Sequence, residues 1–225
     1  MKNSLQKIRA LPEFKELSKR IQAFGNISPL GLGRSVRLPI LAALHQSLNR
    51  PILLITQRTN GALTMLDELS MWIPDLNPMF FPEPTSLFYE DISWGENIRR
   101  ERISAFMALL KNEYTNQPAN GISPIVIAPA RAVMTRTMPK HEFMGATYLL
   151  RTGHRMDPIN LASKLVENAY NSVATVTAPG QFARRGGIMD IWPPSNEFPT
   201  RLDFFDDQID TMRNFDPANQ LSSNR

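Results

Sequence analysis

Two side chains in the predicted strand over residues 200–205 have the chemistry of a protein-recognition site. Because alternate side chains of a strand share a face, Arg201 and Phe205 project to one side. Leu202 and Phe204 project to the other side, which suits a hydrophobic core. An arginine fork and an aromatic ring on one exposed face are typical of residues that dominate protein interfaces.

The same residues allow a purely structural interpretation. In it, Phe205 packs in a core, and Arg201 pairs with Asp203 or Glu197. Arginine is costly to bury unpaired, so this interpretation needs one of those acids as a partner. The residue types alone leave both interpretations open.

No arrangement of side chains in the sequence predicts catalysis or a resident metal. The histidines, His45, His141 and His154, have no metal-ligating neighbour at useful spacing and no nucleophile to activate. Acidic residues do cluster near the end of the chain, but hairpin turns favour aspartate, and adjacent strand residues point to opposite faces. These acids are Asp203, Asp206, Asp207 and Asp210. We therefore predict no catalytic residue, no metal ligand and no cofactor.

The stretch Gly31-Leu32-Gly33-Arg34-Ser35 has some residue types of a phosphate-binding loop but not its spacing. A working loop reads Gly-x-x-x-x-Gly-Lys-(Ser/Thr); its backbone amides and lysine hold phosphates, and its hydroxyl holds magnesium. Here the glycines are too close together and the lysine is absent. No Asp-Glu pair follows an apolar strand either. We predict that Gly31, Gly33, Arg34 and Ser35 form a non-functional, degenerate loop that makes a turn and a helix cap.

The elements around this loop predict an α/β domain with a parallel sheet. A helical leader over residues 4–24 is split at Pro12. Further helices are predicted over residues 59–72, 96–114 and 130–137, and buried strands over residues 51–56, 80–81 and 123–128. Strands that alternate with helices form a parallel sheet with crossover connections. Arg99, Arg100 and Arg102 are expected on the solvated face of their helix.

A smaller α+β domain with a mostly antiparallel sheet is predicted to follow. Its strands are predicted over residues 146–151, 173–177, 188–192, 200–205 and 208–215. Asp157 is predicted to cap its helix, which begins at Pro158 and ends at Tyr170. The predicted organisation is a leader of residues 1–24, an α/β domain of residues 25–140 and an α+β domain of residues 141–225.

A long motif runs through this second domain. It reads RRGGIMDIWPP from Arg184 to Pro194 and PTRLDFFDD from Pro199 to Asp207. The motif resembles the module shared by the excision-repair protein UvrB and the transcription-repair coupling factors. The continuation FDPANQ, which begins at Phe215, is more similar to the coupling factors.

The resemblance implies a function for each part of the chain. Residues 141–225 would bind the excision-repair protein UvrA through Arg185, Arg201 and Phe205, with Arg184 beside them. Residues 25–140 would have a helicase-like, P-loop-type fold with a degenerate nucleotide site. The chain would be an N-terminal fragment of a coupling factor. We expect it to end inside the module, which would leave the sheet of the first domain incomplete and some apolar surface uncovered.

The full-length family implies further activities that this segment is not expected to have. Coupling factors would be ATP-hydrolysing DNA translocases that displace stalled RNA polymerase, with ATP, magnesium and double-stranded DNA bound by their motor domains. The segment itself is predicted not to be an enzyme. One alternative is a fragment of UvrB, which the missing lysine disfavours. Another is a free-standing nucleic-acid-binding module, supported only by the basic N-terminus.

Composition limits the class of protein. The chain is 42% hydrophobic and 20% charged, which is typical of globular domains, and it has no cysteine for disulfides or thiolate zinc sites. No apolar run is long enough to cross a bilayer, so we expect a cytoplasmic protein without a membrane partner. Residues 1–50 carry nine Lys/Arg against Glu13 and Glu16, a net charge of +7, within a chain whose total is +4.

Overall fold

The chain forms two compact units, residues 1–136 and residues 137–225. The computed structural model describes residues 2–24, 27–84, 94–115 and 121–222. The predicted boundary after residue 140 lies close to the division between the units, and Gly25, where the α/β domain was predicted to begin, lies outside the described residues.

The first unit contains a parallel three-stranded sheet among helices, and this confirms the predicted α/β arrangement. Its helices are α1 (Lys2–Ala10), α2 (Pro12–Phe24), α3 (Arg34–Leu48), α4 (Thr59–Trp72), α5 (Glu96–Thr115) and α6 (Ala130–Met134). Its strands are β1 (Ile52–Thr56), β2 (Met79–Phe80) and β3 (Ile125–Pro129), in the order β1-β3-β2. Both pairings are parallel because a helix lies between successive strands.

Helices cover the two faces of this sheet unequally. Helices α1 to α4 pack on the face that carries Ile125 and Ile127. Helices α5 and α6 pack on the other face, over Val126 of the central strand. That second layer does not cover β1, where Leu53 and Ile55 are each 54% exposed. The prediction that the first strand is buried was wrong, because β1 is an edge strand of the sheet. Leu53 and Ile55 form an uncovered apolar surface of the kind expected for this domain.

Arg102 of α5 was predicted to be solvated, and this prediction was wrong. Its guanidinium lies 4.0 Å from the ring centroid of Phe81 and 4.7 Å from that of Trp94. Its Nη1 atom donates a hydrogen bond to the carbonyl oxygen of Pro82 at 2.8 Å. Burial lowers the pKa of Arg102. Aromatic faces replace a carboxylate as its partners, so Arg102 stabilises the packing of α5 on β2.

The second unit is a five-stranded sheet with helices α7 (Lys140–Gly145) and α8 (Pro158–Glu167). Its strands are β4 (Asn171–Ser172), β5 (Gln181–Arg185), β6 (Ile188–Ile191), β7 (Thr200–Phe205) and β8 (Gln208–Asn214), in that order across the sheet. Strands β4 and β5 are parallel and the other pairs antiparallel, which confirms a mostly antiparallel sheet.

Some predicted elements of this unit differ from the structure. Residues 146–151 form no strand. The strand predicted over residues 173–177 is also absent, and the chain pairs with β5 just before that range, at residues 171–172. Strand β5 was missed because its polar Arg184-Arg185 end looks like part of a turn. Helix α8 begins where predicted, since the Asp157 carboxylate accepts hydrogen bonds from the backbone amides of Ile159 and Asn160 at 3.3 and 3.0 Å.

Helix α8 buries one face of the sheet. Leu161 and Leu165 of the helix pack against Phe182, Met189 and Leu202 of the strands. The opposite face is therefore the one available for other contacts.

A buried histidine joins α3 to β3 in the first unit. The Nε2 atom of His45 donates a hydrogen bond to the carbonyl oxygen of Ser123 at 2.7 Å. Burial lowers the pKa of His45, and the hydrogen bond opposes this only in part. The folded chain thus favours the neutral ring, whereas the unfolded chain protonates it at an ordinary pKa of about 6.5.

We expect His45 to make the protein less stable in mild acid. A group whose pKa is lowered by folding stabilises the fold above its unfolded pKa, and this contribution is lost as the pH falls. The free energy of unfolding should therefore fall between about pH 7.5 and about pH 5.5. His45→Gln, which can still donate to Ser123, should flatten this dependence, whereas His141→Gln, at an exposed ring, should not. Denaturant titrations would measure both, and identical slopes for the two variants would contradict the prediction.

Candidate protein-interaction face

The candidate site is the face of the second sheet that points away from α8, called here the outer face. Strand register sets its side chains in two rows across the sheet. One row is Ala183, Asp190, Arg201 and Arg213, and the next is Arg185, Ile188, Asp203 and Thr211. Phe205 follows Asp203 by two residues along β7, so it continues this face toward the hairpin turn.

Arg201 is held by an ion pair with a buried acid. Its Nε and Nη2 atoms donate to the two carboxylate oxygens of Asp190 at 2.7 and 2.9 Å. The side chains of Arg201 and Asp190 are only 19% and 3% exposed. The Arg201 guanidinium also lies 4.7 Å from the ring centroid of the buried Phe215. The hydrogen bonds to Asp190 raise the pKa of Arg201.

The acid that pairs with Arg201 is neither of those considered from the sequence. The Asp203 carboxylate instead accepts hydrogen bonds from Thr211 and Arg213 on β8. Arg201 does project to the outer face as predicted, but its side chain is only 19% exposed. Its ion pair with Asp190 links β7 to β6, and only a small part of its side chain is accessible to solvent.

Phe205 is 78% exposed, whereas Phe204 packs in the core. This confirms the predicted orientation of the two rings. The chain beside Phe205 is the Gly186-Gly187 turn, where the backbone amide of Phe204 donates to the carbonyl oxygen of Gly187 at 2.7 Å. Neither glycine has a side chain to cover the ring. Gly186 adopts a φ of 61°, a left-handed conformation that glycine tolerates best.

Arg185 lies on the outer face but not on the strand next to Phe205. Strand β6 separates β5 from β7, and Ile188 of β6 occupies the position between Arg185 and Asp203. The Nη2 atom of Arg185 donates to the carbonyl oxygen of Ala174 at 2.7 Å and lies 3.3 Å from Thr175 Oγ1. Arg185 therefore reaches the outer face two strands away from Phe205.

Arg184 does not join the other candidate residues. It pairs across the sheet with Met189, which is in the core beneath α8. Because successive strand residues point to opposite faces, Arg184 projects to the opposite side from Arg185. Of the four candidates, the structure places three on one face, and Arg184 on the other.

The Gly31–Ser35 stretch is closed by its own hydrogen bonds. The backbone amide of Leu32 donates to the carbonyl oxygen of Leu30 at 2.8 Å, and Arg37 Nε donates to the carbonyl oxygen of Leu32 at 3.1 Å. Gly33 is the N-cap residue of α3, and no side chain, that of Ser35 included, makes a capping hydrogen bond there. Arg34 and Ser35 are the first two residues of the helix, and both are exposed.

Within the described parts of the chain, no group of three His, Asp or Glu side chains is arranged to hold a metal ion. No helix in those parts is both long and apolar enough to span a membrane.

Residues 149–225 match the model of the UvrB interaction domain. This part of the chain is a UvrB interaction domain. The chain as a whole is related to transcription-repair coupling factors. It is 33% identical to that of Bacillus subtilis (strain 168) over 85% of this chain and 16% of the relative. It is 30% identical to that of Escherichia coli (strain K12) over 76% of this chain and 14% of the relative. The chain thus spans about a sixth of the length of these relatives.

The outer face belongs entirely to the UvrB interaction domain. Its sequence signal was the alternation along β7, which correctly separates Phe205 from the core. Ile188 was missed because it lies in an apolar strand and looks like a core residue. Strand register, which the sequence does not display, places it on the outer face.

We predict that the Asp190–Arg201 pair is required for the stability of the interaction domain. Asp190→Ala or Arg201→Ala leaves one charge buried without a partner, and breaking such a pair costs about 3–5 kcal/mol of unfolding free energy. Arg213→Ala removes a half-exposed partner of Asp203 and should cost about 1 kcal/mol or less. Chemical denaturation of the three variants would measure the difference. Equal, small losses for Arg201→Ala and Arg213→Ala would show that the pair is not structural.

Proposed function

We propose that this chain is the part of a transcription-repair coupling factor that binds UvrA, and that binding occurs on the outer face of its UvrB interaction domain. The observation that carries the proposal is the 78% exposure of Phe205 on a rigid strand. Phe205 is the most exposed aromatic ring among the described residues, and aromatic residues dominate the binding energy of many interfaces. The relation to coupling factors over most of the chain supports the same assignment.

The three outer-face residues have different roles in this proposal. Phe205 is the apolar anchor that enters the partner surface. Arg185 offers its guanidinium to a carboxylate of UvrA, since arginine matches the geometry of carboxylates. Arg201 acts mainly by fixing β7 to β6, because its Nε and Nη2 atoms donate to Asp190 and its Nη1 atom lies 3.4 Å from the carbonyl oxygen of Gln220. Arg184 lies on the opposite face and is left out of the proposed contact surface.

For the first unit we propose a helicase-like domain that has lost its nucleotide site. The hydrogen bond from the Leu32 amide to Leu30 supports this, because the amides of a phosphate-binding loop must be free to cradle phosphates. The missing lysine also favours a coupling factor over UvrB as the parent protein. In the full-length protein, ATP hydrolysis and the binding of RNA polymerase and double-stranded DNA would be functions of other domains. Its location would be the cytoplasm.

We predict that Phe205→Ala weakens UvrA binding by about 2 kcal/mol, or roughly thirtyfold in Kd, with little change in stability. The ring contributes little to the core, so the melting temperature should stay close to that of the wild type. Phe198→Ala is the matched control, since Phe198 is also exposed but precedes the opposite end of β7. Calorimetric titration with UvrA, alongside thermal unfolding, would measure both effects. A variant that unfolds, or binds as tightly as the wild type, would refute the assignment of Phe205.

We also predict that this chain does not hydrolyse ATP. The loop lacks the lysine that would reach the terminal phosphates, and the backbone amide of Leu32 is bonded to Leu30. A phosphate-release assay with magnesium should give the background rate for the wild type and for Ser35→Ala alike. Turnover that is lost on changing Ser35 would mean that the loop is functional.

A further inference from the structure

We infer that Ile188 and Phe205 together form one apolar anchor on the outer face, and that the partner presents to them an apolar recess with a carboxylate beside Arg185. This inference rests on the proposed function and extends it to Ile188, which the resemblance does not assign a role.

Strand register brings the two apolar side chains together. Ile188 of β6 pairs directly with Asp203 of β7. Phe205 lies two residues beyond Asp203 on the same face, so it is the diagonal neighbour of Ile188. Such diagonal pairs are roughly 7–8 Å apart, within reach of an aromatic side chain. The two residues therefore make a continuous apolar surface.

The surrounding residues leave this surface open. Ile188 is 42% exposed although it sits in an inner strand of the sheet. On the far side of Phe205, the side-chain amide of Gln208 donates to the carbonyl oxygen of Gly153 at 3.0 Å and is thereby turned toward that segment. The Gly186 turn adds no side chain of its own.

The charges next to the anchor determine what kind of partner fits. The carboxylate of Asp203 accepts hydrogen bonds from Thr211 and Arg213 through its Oδ2 atom, and Ile188 lies between Asp203 and Arg185. Arg185 is tethered through Nη2 to residues 174–175. Its Nε and Nη1 atoms make no hydrogen bond to any described residue. A tethered guanidinium loses little side-chain entropy on binding, and its free donors suit a carboxylate.

Asp203 of β7 lies on the other side of Ile188 from Arg185, and Phe205 follows Asp203 on the same face. This arrangement is cationic at one end and apolar at the other. We therefore assign the surface to a partner that offers an apolar recess beside a carboxylate, which complements both ends of the patch, and self-association of this chain is an outcome that the test distinguishes.

The inference is tested by titrating purified UvrA into the wild-type chain and two Ile188 variants. Ile188→Ala should weaken binding about tenfold, because it removes half of the anchor. Ile188→Thr keeps a β-branched side chain suited to a strand but makes the surface polar, and it should weaken binding at least as much. Ile159→Ala, at an exposed isoleucine of α8, is the control and should change Kd less than twofold, within about 0.4 kcal/mol.

Two further measurements separate the possible outcomes. In a double-mutant cycle, Ile188→Ala and Phe205→Ala together should cost less than the sum of their single effects, because neighbours in one anchor are coupled. Arg185→Gln should weaken binding and reduce its salt dependence.

The results can overturn this inference without overturning the proposed function. If Phe205→Ala impairs UvrA binding while both Ile188 variants bind like the wild type, Ile188 is no part of the anchor and only the inference fails. If the wild-type chain does not bind UvrA at all, the proposed function fails, and the inference with it. A dimer of the wild-type chain in sedimentation experiments that Ile188→Thr converts to monomer would assign this surface to self-association instead.

Discussion

The interaction domain depends on the buried ion pair between Asp190 and Arg201. Two charges removed from water lose much of their hydration, so the pair by itself is not a strong source of stability compared with apolar packing. Its main effect is on specificity, because each charge is acceptable only when the other is in place. The bidentate geometry fixes β6 against β7 in one register. That register decides which side chains of both strands reach the outer face.

The same pair divides the outer face into a closed and an open end. At the Arg201 end, Phe215 packs with Val176, Ala183 and Trp192 in a small second core. Arg201 stacks on Phe215, so the C-terminal segment shields the ion pair from water. At the other end of β7, two glycines and a polar side chain surround Phe205. Strand β7 therefore carries both Arg201, which fixes the strand in place, and the exposed ring of Phe205. Because Arg201 keeps the strand rigid, binding through Phe205 costs less entropy.

The sequence predicts those features that arise from local chemistry. The limits of β7, the turn at Asp206-Asp207 and the cap at Asp157 follow from alternation, turn preference and capping. The partner of Arg201 cannot be predicted in this way. The acids near Arg201 in the sequence lie in or next to β7, whereas strand pairing places Asp190 of β6 opposite Arg201.

Solvent exposure was harder still to predict, and three residues show why. Leu53 and Ile55 lie in an apolar run that is typical of a buried parallel strand, but their strand is at the edge of a short sheet. Arg102 looks solvated because arginine usually is, but two aromatic rings enclose it. In each case the exposure of the side chain depends on which distant elements pack nearby, and the residue type does not indicate this.

In the function proposed above, the first unit keeps the shape of a helicase-like domain without the chemistry of a nucleotide site. Helix α3 still begins directly after a glycine, as a helix that binds phosphate would. However, Arg37 lies within the first turns of that helix and directs its guanidinium to the loop carbonyl of Leu32, instead of leaving a cation free for phosphate. The amide of Leu32 is likewise bonded to Leu30. Helix α3 serves as a packing element for the parallel sheet, with Leu38, Ala42 and Ala43 in the same core as Ile125 and Ile127. This supports a division of labour in which the first unit is a scaffold and recognition is left to the outer face of the interaction domain.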